Sequence, residues 1–153
     1  MSDFFNIDRS SVVDSSVKLT GEINIGKNCK IQNSRLNNVT IGDNVTIIDS
    51  NIDGAEIHNN INIGPYARIR PNSIIMDGVS IGNFCEIKNS FIGERSKIPH
   101  LSYVGDADIG KDCNIGCGVI FCNYDGKNKT RSVVGDRVFI GSNCNIISPV
   151  ILE

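Results

Sequence analysis

The chain has 153 residues, 40% hydrophobic and 21% charged, with a formal net charge of −2. That balance fits one soluble domain and excludes a disordered tract or a global attraction to nucleic acid or membrane, so any anion site is local. No apolar run reaches membrane-spanning length, and Met1–Ser11 carries acids without a signal-like apolar core, which predicts a cytoplasmic protein in which the sequons at Asn38, Asn44 and Asn128 mean nothing.

Residues 1–12 precede a clear repeat, and Phe4, Phe5 and Ile7 are expected to cap its first coil. From Val13 onward aliphatics recur every six positions: Val13, Leu19, Ile25 and Ile31, then Ile41 and Ile47. The longest run is Ile63, Ile69, Ile75, Ile81 and Ile87; further runs are Ile109, Ile115, Phe121 and Val134, Ile140, Ile146, Leu152. A period of six is neither helical nor a simple strand alternation. Gly often follows the aliphatic, as at Gly42, Gly64, Gly82 and Gly110, then Asn or Asp, which marks corners. Four positions after the aliphatic comes a small apolar residue (Val17, Val45, Val79) or a cysteine (Cys29, Cys85, Cys113, Cys144). Cysteine in that slot reads as packing rather than redox or metal chemistry.

These elements predict an all-β, parallel β-helix of hexapeptide repeats over residues 13–153, with three sides closing each coil of about 18 residues. The period slips near Leu36–Asn37, Ile52–Ile57, Phe91–Ile98 and Ser102–Val104, which needs no functional reading. The largest break, residues 122–132, is polar and reads as a loop ejected from a coil. It is either a tolerated surface insertion or an arm carrying Lys127, Lys129 and Arg131 to a ligand or a neighbouring chain.

Reactive side chains concentrate in one stretch. Arg70 and Lys88 are 18 apart, hence vertical neighbours one coil apart, and two stacked cations repel unless an anion bridges them. That predicts a phosphate site, with two solvated cations as the plain alternative. His100, with Glu86 available as a partner, is a candidate general base; a lone histidine is more often structural. His58 has no comparable neighbours, and two histidines cannot supply a three-histidine zinc site unless subunits share ligands, so no metal is expected.

The segments "IGPYARIRP", "IGNFCEIKNS", "HLSYVGDADIG" and "NIGCGVIFCNYDGKNK", within Ile63–Val150, resemble the C-terminal acetyltransferase domain of the bifunctional N-acetylglucosamine-1-phosphate uridyltransferase/glucosamine-1-phosphate acetyltransferase, in the hexapeptide-repeat acyltransferase superfamily. Residues 13–62 match more loosely. The resemblance implies a left-handed helix, a homotrimer with sites at subunit interfaces, and acetyl transfer from acetyl-CoA to the amine of glucosamine 1-phosphate in UDP-N-acetylglucosamine synthesis. It implies His100 as general base, oriented by Glu86. Arg70, Lys88, Tyr103 and Lys129 would hold the sugar phosphate, Asn114 and Asn123 would contact the sugar, and Cys117 and Ser142 would lie along acetyl-CoA. No counterpart of the family's nucleotidyltransferase domain or of its last coils is present in these residues, which implies no uridyl transfer and a shortened CoA site. Cys117 stands where the family has a small Ala, and Pro99 where Gly is common. The alternatives are a non-catalytic sugar-phosphate-binding or assembly protein derived from such an enzyme, and a transferase with another phosphorylated amino-sugar acceptor.

Overall fold

In the computed structural model, which describes residues 3–153, aliphatics six apart land on successive sides of one coil and stack on their counterparts in the next. One internal column runs Leu36, Ile52, Ile69, Ile87, Val104 and Phe121. A second runs Ile41, Ile57, Ile75, Ile92, Ile109 and Val134, and a third Ile31, Ile47, Ile63, Ile81, Ile98 and Ile115. All of these side chains are buried in a single continuous core. Burial of each contributes about 2 kcal/mol.

Every strand pairing between coils is parallel, in a fifteen-stranded sheet that turns one corner and an eight-stranded sheet on the remaining side. Coil length varies. Arg35 pairs with Asn51, Asn51 with Arg68 and Arg68 with Glu86, offsets of 16, 17 and 18 residues. The period slips of the sequence are these changes of coil length. The expected all-β hexapeptide-repeat β-helix with one ejected loop is the observed fold. Among the described residues no helix is long and apolar enough to cross a membrane.

The corners carry the backbone cost. Among the described residues, sixteen non-glycine residues have positive φ, and eleven of them are Asn or Asp, whose short polar side chains tolerate the left-handed region best. The small slot after the corner is filled by Cys29, Cys85 and Cys113, all buried, and by Cys144, half-buried against the core; all six cysteines are free. Serine fills the same slot at Ser34, Ser50, Ser90 and Ser102. Each hydroxyl donates to the carbonyl two residues back at 2.7–2.8 Å, which satisfies an otherwise costly buried polar group. Sequence reading passed over this serine ladder, because serine reads as a surface residue.

Within residues 1–12, Phe4–Ile7 is a strand stacked in register on the first coil, Phe4 on Glu22 and Ile7 on Ile25. Met1 and Ser2 lie outside the described residues. One boundary differs from expectation. Cys122 and Ser132, expected in the loop, close the strands Ile120–Cys122 and Ser132–Val134, so the ejected segment is residues 123–131.

Candidate functional site

The strands Arg68–Ile69, Glu86–Lys88, Tyr103–Gly105 and Ile120–Cys122 stack on one side of the helix. Their register puts Arg68, Glu86, Tyr103 and Ile120 in one outward column. Two positions on, Arg70, Lys88 and Gly105 form the next column, with the Arg70 N–H donating to the Ile87 carbonyl at 2.8 Å. Arg70 and Lys88 are therefore the vertical neighbours that the 18-residue spacing predicts.

Their repulsion is met from within the chain. Arg70 Nη1 donates to Glu86 Oε1 at 2.9 Å, and Lys88 Nζ to Asp106 Oδ2 at 3.1 Å. Within one chain Glu86 pairs with Arg70, and His100 Nδ1 hydrogen-bonds Asn83 Oδ1 at 3.0 Å. Coil length is the reason: Asn83 lies directly beneath His100 at an offset of 17, while Glu86 pairs with Tyr103 beyond the Phe84–Cys85 corner. An Nδ1–H donated to Asn83 Oδ1 would leave Nε2 of the exposed imidazole as the basic nitrogen.

The ejected loop returns to the same place. Tyr124 and Lys129 form an antiparallel bridge, and the Thr130 N–H donates to the Asn123 carbonyl at 2.9 Å. The Asp125 carboxylate accepts the N–H groups of Asn128 and Lys127 at 2.6 and 2.7 Å, which closes the tip and lowers its pKa from the ordinary value. Arg131 anchors the return strand by donating to Asp108 at 2.6 Å and to the Asn89 carbonyl at 2.8 Å. The arm sets Lys129 beside Lys88: Lys88 foremost, with Arg70 adding, holds the Lys129 ammonium below its usual pKa. Burial works against the charges on both Lys88 and Asp106. Their mutual hydrogen bond, with the Asn89 and Asn123 amides on Asp106, outweighs it, so Lys88 is raised and Asp106 lowered.

Three cations thus converge with the Tyr103 hydroxyl and the Asn123 amide, which meet at 3.3 Å. Asn114 does not join them in one chain. It stands on the eight-stranded sheet, between Lys97 and Phe139. Cys117 and Ser142 continue the Asn83–His100 column one and two coils above the imidazole, following the registers of Lys97 on Asn114 and Ile115 on Ile140. Asn83, Asn89 and Asp106 are the polar residues that sequence reading left unassigned. Asp106 lies inside the quoted segment "HLSYVGDADIG", and its signal was there only as a corner residue.

The model of the family described as the GMPPB C-terminal domain matches residues 52–153, two thirds of the chain and the whole of the site. The chain belongs to that family. Among curated proteins, this family member is similar to the "Bifunctional protein GlmU" of Clostridioides difficile (strain 630), with 47% identity over 96% of the chain and 32% of the relative. It is similar to the protein of the same name from Carboxydothermus hydrogenoformans, with 49% identity over 92% of the chain and 32% of the relative. It spans about a third of the length of these relatives, and they bear out the resemblance read from the motifs. Among solved structures, it is similar to the UDP-N-acetylglucosamine O-acyltransferase (LpxA) of Moraxella catarrhalis RH4, at 22% identity and a TM-score of 0.44 over 95% of this chain and 66% of that one.

Proposed function

We propose that the chain is a glucosamine-1-phosphate N-acetyltransferase that uses acetyl-CoA in the synthesis of UDP-N-acetylglucosamine in the cytoplasm. The observation that carries this reading is the convergence of Arg70, Lys88 and, from the ejected loop, Lys129 beside the Tyr103 hydroxyl. Such a set of donors suits a dianionic phosphate monoester. The similarity to bifunctional proteins over nearly the whole chain supports the same acceptor.

In this reading the phosphate sits among those cations and the sugar amine points to His100. An ammonium has no lone pair, so Nε2 of His100 takes a proton from the amine as its nitrogen attacks the thioester carbonyl. The tetrahedral intermediate collapses with release of the CoA thiolate. Cys117 and Ser142 lie above His100 along the line the acetyl-CoA arm would follow. Asn114 faces away from the cluster in one chain, and in the proposed homotrimer a neighbour's Asn114 faces it. The chemistry of this reading uses no metal and no uridyl transfer.

The test is acetyl-CoA-dependent loss of free amine from glucosamine 1-phosphate. His100→Ala is expected to lower kcat by about 10³-fold, the scale of a lost general base, with unchanged melting. An intact trimer without turnover at millimolar substrate would sink the reading. A non-catalytic binder would instead bind glucosamine 1-phosphate through Arg70 and Lys88 and fail to bind acetyl-CoA in calorimetry.

A further inference from the structure

Asp106 is the hub of the cation cluster, yet it has no open side for a ligand. Its residue is 6% exposed. Oδ1 accepts the Asn89 amide at 2.6 Å; Oδ2 accepts Lys88 Nζ at 3.1 Å and also the Asn123 amide. Its backbone is clamped as well. The Asp106 N–H donates to the Lys88 carbonyl at 2.9 Å, and the Asp106 carbonyl accepts the Ser132 N–H at 3.1 Å, at a φ of 51°. Asp106 therefore ties together three pieces of chain: its carboxylate holds the strand of Lys88 and the root of the ejected loop at Asn123, and its backbone carbonyl holds the strand on which that loop returns.

The donors it holds are also polarised. One Lys88 N–H is spent on Asp106, which fixes the direction of the other two. The Asn123 amide has two hydrogens; with one on Asp106, the other goes to the Tyr103 oxygen at 3.3 Å. Tyr103 thereby accepts from Asn123, and its own O–H is left to donate outward. A buried carboxylate is costly compared with the neutral asparagines that serve at many other corners, so a purely architectural role accounts poorly for it.

We infer that Asp106 is a positioning residue for the phosphate of the acceptor. It touches no substrate atom and acts by aiming Lys88 Nζ and, through Asn123, the Tyr103 hydroxyl. The inference takes only the identity of the acceptor from the acetyl-transfer reading; the anion it serves follows from the cluster itself.

Asp106→Asn keeps the shape and removes the charge. Its expected effect is a rise of about tenfold in KM for glucosamine 1-phosphate, the scale of one charge-assisted hydrogen bond, with kcat and KM for acetyl-CoA nearly unchanged. Binding of inorganic phosphate, read by calorimetry, is expected to weaken by about the same factor. Asn89→Gly, which suits the left-handed backbone at that position and removes only the Oδ1 donor, is expected to shift the same two quantities by about threefold. It decides the matter if Asp106→Asn does not fold. Folded variants with unchanged KM and phosphate affinity overturn the inference, as does a melting drop with equal loss on both substrates. Absence of phosphate binding by the unmodified protein overturns it too. Phosphate binding that is weakened by Asp106→Asn in a protein that never turns over glucosamine 1-phosphate would uphold the inference and overturn the acetyl-transfer reading.

Discussion

Polar side chains are satisfied differently in the lower coils and around the site. In the lower coils asparagines bond to their counterparts one coil away: Asn28 to Asn44, Asn44 to Asn60 at 3.1 Å, Asn37 to Asp53 at 2.8 Å. These are ladders along a column, which any stacked coil can extend. Around the site such ladders persist, Asn83 under His100 and Asn89 under Asp106, but charged groups also bond across columns. Arg70 reaches Glu86 although its register neighbour is Lys88, Lys88 reaches past Gly105 to Asp106, and Arg131 reaches Asp108 and the Asn89 carbonyl. A column ladder repeats a scaffold, whereas cross-column bonding fixes charged groups at one place.

Several changes break or sharpen that contrast. The largest effect is expected from Gly105→Ala. A Cβ there would collide with the Tyr103 hydroxyl oxygen and stand 2.5 Å from its ring carbon, so the ring must leave its place over the strand. Loss of that donor and the strain together should lower kcat/KM for the sugar phosphate by about 10²-fold, read by steady-state kinetics, with acetyl-CoA binding retained. Lys129→Arg acts through pH. The Lys129 ammonium is depressed by Lys88, so its charge is lost as pH rises through a value below the usual lysine range of about 10.4. Phosphate affinity should therefore decline on the alkaline side in the unmodified protein, and the decline should disappear when an always-charged guanidinium replaces the amine. A calorimetric pH series that is flat in both proteins would contradict this.

Smaller effects test the scaffold. Cys117→Ala in the outward column above His100 should leave turnover within about threefold, since the thiol takes no part in the proposed proton and acetyl transfer. A larger loss would show the thiol to be chemically engaged. Asn44→Gly removes two rungs of a lower-coil ladder while keeping a residue suited to the φ of 58°. Its expected cost is below about 1 kcal/mol in denaturant unfolding, with kinetics untouched.

The repeat was legible because isoleucine at 63, 69, 75, 81 and 87 leaves no other period, and each of these residues is buried where the step of six puts it. The coil length was not, because offsets of 16, 17 and 18 all preserve the inward aliphatic and differ only at corners. That is why Arg70 over Lys88 was found and Asn83 under His100 was missed. Asp106 was hidden for another reason. At a left-handed corner an aspartate looks like any Asn or Asp that the backbone requires, and only the packing of Lys88 and Asn123 against it distinguishes it. The loop residues 123–131 were visible as a break, but that they bring Lys129 back to Lys88 depends on the Tyr124–Lys129 bridge and the Arg131 anchor, which have no periodic signature.

The ejected loop has a consequence for how such a chain can change. Tyr103 pairs with Ile120 at an offset of 17, yet Ile120 pairs with Asn145 at 25, and the strands on both sides keep their register. Length added at that corner is absorbed outside the stack, without shifting any internal isoleucine. The junctions at Cys122 and Ser132 are therefore a natural splice point, where segments of other lengths and sequences can be exchanged to present different groups to the same cations while the rod beneath stays as it is.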